Sequence, residues 1–130
     1  MRAVPSLSSA PLTVMLYVLP IAPALFNGIT ASGPASPIIA KVGDVSLTLD
    51  AFVPEGTGPF VTCILVHGGG FTKGDKTSFI KPLFEPLAKA GFTWFTINYR
   101  LAPQHQWPAC ADDVASAIKW VKQHAAEYKV

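Results

Sequence analysis

Charge is scarce in this sequence. Asp, Glu, Lys and Arg make up 14% of the chain, and the formal net charge is +2. A nucleic-acid-binding surface needs a basic patch or stripe. None is visible, so no nucleic-acid partner is expected. Histidine and cysteine are also few. His67, His105 and His124 lie far apart, and Cys63 and Cys110 show neither a zinc spacing nor a redox pair. These residues call for no metal and no cofactor. Cys63 lies in an apolar run and reads as a buried, unreactive thiol, with a Cys63–Cys110 disulfide as the alternative.

Hydrophobic residues, by contrast, make up 50% of the 130 residues. That is enough for the core of one domain and too much for a disordered chain. The charges that do occur are unevenly placed. From Met1 to Ala40 the only charged side chain is Arg2; every other charge lies from Lys41 onward. Residues 1–40 therefore read as a signal peptide and flexible linker, and 41–130 as the folded part. Arg2, the apolar run Pro11–Phe26 and the small residues Ala22 and Ala24 fit an export leader, which implies a secreted or periplasmic protein. Pro20 and Pro23 interrupt the run, so no stable membrane span is expected. Ala31–Pro37, rich in Ser, Gly and Pro, reads as the linker.

The folded part alternates strands and helices. Val45–Val53 alternates with period two, as a half-buried strand does. Phe60–Val66 and Phe92–Asn98 are continuous apolar or β-branched runs, suited to strands covered on both faces. Between them Ile80, Leu83, Phe84 and Leu87 recur at helical spacing. Pro86 falls inside that pattern and predicts a kinked or short helix, with Gly91 as its stop. Pro108 can open the last helix, whose apolar stripe runs through Val114, Ala117, Ile118, Val121, Ala125 and Tyr128. The order strand, helix, strand, helix predicts an α/β fold with a mostly parallel sheet and flanking helices. The strand that should follow the last helix is absent, so the fold is expected to be incomplete at its C-terminus.

The informative stretch is His67-Gly68-Gly69-Gly70-Phe71-Thr72-Lys73-Gly74-Asp75-Lys76. Three glycines after a buried strand allow close approach to the backbone. Unpaired amides in such a loop can converge on a negative oxygen. Phosphate is the rival ligand. A phosphate-binding loop reads G-x-x-x-x-G-K-[ST]. Gly69 and Gly74 have the right separation, but Asp75 stands where the lysine belongs and would repel a phosphate. The dinucleotide pattern G-x-G-x-x-G fails as well, because Lys73 occupies its last glycine.

The remaining reading is the H-G-G-G oxyanion loop of ester hydrolases. Tyr99-Arg100-Leu101-Ala102-Pro103 follows the next strand, and Trp107-Pro108-Ala109 with Asp112-Asp113 opens the last helix. Together these motifs resemble the feruloyl/acetylxylan-esterase-like and hormone-sensitive-lipase-like families of α/β-hydrolases, over roughly Val45 to Val130. The Gly-Asp-Lys ending of the loop looks most like the first of these. The resemblance implies the N-terminal portion of an α/β-hydrolase fold. It implies Gly69 and Gly70 as oxyanion donors, with His67 and Gly68 shaping the loop. Arg100 and Asp113 match positions that look structural. Substrates would be small carboxylic esters or acylated sugars; peptidase or formamidase activity also occurs on this fold. Nothing in the pattern defines an oligomeric state.

No G-x-S-x-G elbow occurs in the chain. Ser46 sits at a polar strand position, Ser78 at a helix start and Ser116 on a solvated helix face. The triad order is Ser, then Asp or Glu, then His, so none of its members is expected among these residues. The chain alone is therefore expected to be inactive. A non-catalytic binding or assembly module on the same fold is the alternative, and an ordinary α/β domain with a glycine-rich turn is the third reading.

Overall fold

A computed structural model describes residues 36–130. The export leader read from the sequence, and most of its linker, lie outside the described residues. Within them the elements are β1 (Ile38–Val42), β2 (Val45–Phe52), β3 (Thr62–Val66), α1 (Phe84–Lys89), β4 (Thr93–Ile97) and α2 (Ala109–Gln123). One sheet contains all four strands in the order β1-β2-β4-β3. β3 and β4 run parallel, while β1–β2 and β2–β4 are antiparallel.

β1 is a strand that the sequence reading missed. It begins at Ile38, ahead of the boundary drawn at Lys41, and Ser36 already bonds Asp50 on β2. The shift in charge marks where charged side chains start; it does not mark where backbone pairing starts. The turn is Gly43-Asp44, with Val42 paired to Val45 and φ of +59° at Gly43. Glycine at the first central position is the sequence signal of a tight hairpin, and it was there to be read.

The strands separate two apolar layers because their side chains alternate. On one face Leu49, Ile64, Phe95 and Ile97 pack with Ala117 and Val121 of α2. On the other, Cys63, Leu65 and Trp94 pack with Ile80 and with Leu83, Phe84 and Leu87 at α1. All five residues of β4 are buried, as its continuous apolar run predicted. α1 is indeed short: a 3-10 turn at Lys81–Leu83 leads into six helical residues. Cys63 belongs to the α1 face, whereas Cys110 lies on α2 across the sheet, and both thiols are free. Burial raises the Cys63 thiol pKa, consistent with an unreactive group.

α2 is shorter than its apolar stripe. It ends at Gln123, where the His124 ring stacks on Trp120 and its Nδ1 engages the Trp120 carbonyl at 2.8 Å. Ala125 and Tyr128 fall beyond the helix. Tyr128 still reaches the core, edge-on to Phe95 at 5.1 Å. No helix of the described residues is long and apolar enough to cross a membrane.

The β4–α2 connection is locked by one ion pair. Arg100 Nη2 and Nε donate to both carboxylate oxygens of Asp113, at 2.7–3.0 Å, and the Arg100 amide donates to Oδ2 at 2.8 Å. Asp113 is 1% exposed and Arg100 14%. The fork to Asp113 raises the Arg100 pKa. Removing one partner leaves a buried charge uncompensated. Asp113→Ala should therefore lower the unfolding free energy by about 3–5 kcal/mol. Ser46→Ala, at an exposed site, should stay within about 0.5 kcal/mol. Urea midpoints for the two variants test the contrast.

Candidate functional site

The register of the parallel pair sets Val66 beside Ile97. The loops leaving β3 and β4 therefore emerge together at one end of the sheet. His67, just past β3, lands against Tyr99, just past β4. Their rings stack at 4.3 Å and 14°, and the Tyr99 hydroxyl donates to the His67 carbonyl at 2.9 Å. His67 Nδ1 lies 2.7 Å from the Gly68 carbonyl. A carbonyl only accepts, so Nδ1 carries the proton. The His67 ring is thus committed to its own loop, at 3% exposure.

Gly69 and Gly70 follow with φ of +120° and +61°. At Gly69 the chain could carry no side chain: a Cβ there would lie 2.0 Å from the Lys73 carbonyl oxygen. The Gly69 carbonyl accepts the Thr72 amide and hydroxyl, both at 3.2 Å, which closes the turn. Among the described residues, the amide N–H groups of Gly69 and Gly70 donate to no protein acceptor. Two amides from consecutive glycines are thereby free to meet an anionic oxygen.

Phe71, the next residue, lines a cavity of about 260 Å³ together with Val66, Tyr99 and Trp107, and with Cys110 and Val114 from α2. Its lining is apolar, although Phe71 and Trp107 are exposed. The Phe71 backbone is fixed at φ +63°, and its carbonyl accepts the Ala102 amide at 2.8 Å. The Tyr-Arg-Leu-Ala-Pro motif therefore braces the glycine loop from β4 through Tyr99 and Ala102. Sequence order alone hid this, because Phe71 and Ala102 are distant in the chain.

Other polar residues are spoken for. Asp75 Oδ1 accepts the Thr77 amide and hydroxyl at 2.7 Å and the Ser78 amide at 2.9 Å. These bonds, the Thr77 hydroxyl foremost, lower its pKa from the ordinary 3.8 to about 2. His67, Asp75 and Ser78 form no relay. Ser116 donates to the Asp112 carbonyl of its own helix, and Ser46 is exposed on β2. Among the described residues no cluster of His, Cys, Asp or Glu is placed to hold a metal ion.

Known proteins resemble this chain in sequence and fold. The family model described as BD-FAE matches residues 49–130. The "Probable carboxylic ester hydrolase LipM" of Mycobacterium tuberculosis is 40% identical over 73 residues, covering 56% of this chain and 16% of that protein. Esterase LipI of the same organism is 30% identical over 95 residues, or 73% of this chain and 28% of LipI. Propionate-bound esterase 2 of Thermogutta terrifontis matches the fold with a TM-score of 0.67 at 29% identity, covering 78% of this chain and 39% of that one. The chain thus spans well under half the length of each. Fold and relatives define the class as an α/β-hydrolase of the esterase kind, represented by its N-terminal part. Within that class the chain belongs to the BD-FAE family.

Two outcomes follow from the loop geometry. Gly70→Ala meets open space, so only the left-handed backbone opposes it, at about 1–2 kcal/mol. Gly69→Ala should cost clearly more, because the Lys73 carbonyl must move; urea midpoints rank the two. Asp75, whose folded pKa is depressed, stabilises its turn above pH 3.8, and that contribution should be lost as pH falls through about 2. Amide shifts of Thr77 and Ser78 should titrate in that window, and Asp75→Asn should abolish the titration.

Proposed function

We propose that these residues form the oxyanion-stabilising part of a serine carboxylic-ester hydrolase. The carrying observation is the pair of undonated amides, Gly69 and Gly70, in a loop whose next residue, Phe71, lines an apolar cavity. Attack of a serine on an ester carbonyl moves negative charge onto the carbonyl oxygen. Two preorganised N–H donors stabilise that charge more than they stabilise the neutral ester, which lowers the barrier. His67 and Gly68 shape the loop and transfer no proton. A further donor would come from the residue after the nucleophile. Water then releases the acyl group.

No G-x-S-x-G occurs among the 130 residues, and the Ser116 hydroxyl is bonded within its own helix. In this reading the triad order Ser, then Asp or Glu, then His puts the nucleophile, the acid and the general base outside these 130 residues. The substrate class is a small carboxylic ester or acylated sugar. Support comes from esterase relatives, and from propionate and butyrate bound to Thermogutta terrifontis esterase 2. The leader-like residues 1–40 support action outside the cytoplasm.

The purified 130-residue chain should not hydrolyse short-chain aryl esters above the buffer rate, nor be labelled by a fluorophosphonate probe. Turnover that disappears in Gly69→Val would overturn the external nucleophile. Assayed with the polypeptide that supplies the serine, Gly69→Ala should reduce kcat by about 10²–10³-fold. Unchanged kcat there would overturn the oxyanion assignment.

A further inference from the structure

The far end of the glycine-rich loop is tied down with unusual thoroughness at Lys76. Its amide donates to Asn98 Oδ1 at 2.8 Å, and its carbonyl accepts the Thr96 hydroxyl. Its ammonium reaches both Asp50 on β2 and Ser36 ahead of β1. Asn98 in turn donates to the Thr48 hydroxyl at 3.0 Å. Main chain and side chain are therefore held by β4 and β2 at once. The Lys76 side chain is only 14% exposed. An ammonium withdrawn from water needs a partner, and Asp50 is that partner.

The fastening matters because the loop has no slack between Lys76 and the glycines. A Cβ at Gly74 would lie 2.8 Å from His67 Nδ1 and 3.0 Å from the Gly68 carbonyl oxygen. The Lys73 carbonyl abuts Gly69 in the same way. Residues 73–76 are thus the wall on which residues 67–69 rest. Close-packed atoms transmit a displacement instead of absorbing it. We infer that Lys76, held by Asp50, is a positioning residue that sets where the Gly69 and Gly70 amides point. Its catalytic consequence rests on the oxyanion reading above; the positioning itself does not.

The two can be separated by experiment. In the ¹⁵N-labelled chain, Lys76→Met should displace the Gly69 and Gly70 amide signals and speed hydrogen exchange at Thr72, whose amide bonds Gly69. Signals from Val121, in the opposite layer, should stay in place. Asp50→Asn should reproduce the displacement, the double variant should add nothing to it, and Lys76→Arg should bring the signals back toward wild type. If Lys76→Met does not fold, Asp50→Asn carries the test. Unmoved Gly69 and Gly70 signals in a folded variant overturn the inference. Assayed with the serine-supplying polypeptide well below the melting temperature, Lys76→Met should lower kcat about 10²-fold with KM little changed, and Lys76→Arg should restore it. Displaced signals with unchanged kcat uphold the positioning and overturn the oxyanion reading.

Discussion

The structure depends on the parallel register of β3 against β4. Setting Val66 beside Ile97 delivers two loops to one end of the sheet. Every feature of the candidate site follows from that meeting. His67 finds Tyr99, Phe71 finds Ala102 and lines an apolar cavity, and the amides of Gly69 and Gly70 are left without protein partners among the described residues. A slip by one residue would turn each strand's side chains to the other face. The two apolar layers, Phe95 and Ile97 toward α2 and Trp94 toward α1, forbid such a slip.

The loop itself is a balance of permissive backbone and rigid surroundings. Three glycines can take many conformations, and that freedom alone would leave the amides unaimed. The surroundings remove it. The Tyr99 hydroxyl and ring hold the start, the Ala102 amide holds the middle, and Lys76 holds the end. Preorganisation of this kind makes a backbone amide useful for chemistry, since the donor does not have to reorient as charge develops. The charged contacts divide the same labour. Arg100–Asp113 fixes β4 to α2 on one side of the loop, and Lys76–Asp50 fixes the loop to β2 on the other.

Local sequence pattern was a good guide where a local cause dominated. Continuous apolar runs marked β3 and β4, because both faces of those strands are covered. Pro86 within a helical pattern marked a short α1. The pattern failed where a non-local cause took over. The stripe through Ala125 and Tyr128 has helical spacing, yet α2 ends at Gln123 and Tyr128 packs on Phe95 from a turn. β1 is not legible in the sequence because its five residues show no clear alternation, and only the pairing with β2 defines the strand.

The sequence by itself determined the chemistry that is available. Asp75 excludes a phosphate loop and His67–Gly70 supply a backbone that can approach a ligand closely, because these properties belong to single residues and their spacing. Its motifs also carried the esterase resemblance that family and structural relatives bear out. Only the tertiary structure decided which residues serve that site. Tyr99, Ala102 and Lys76 act on the glycines across gaps in the chain that no periodicity encodes. Their contacts exist because sheet register and loop packing bring distant residues within a few ångströms, and that is a property of the fold as a whole.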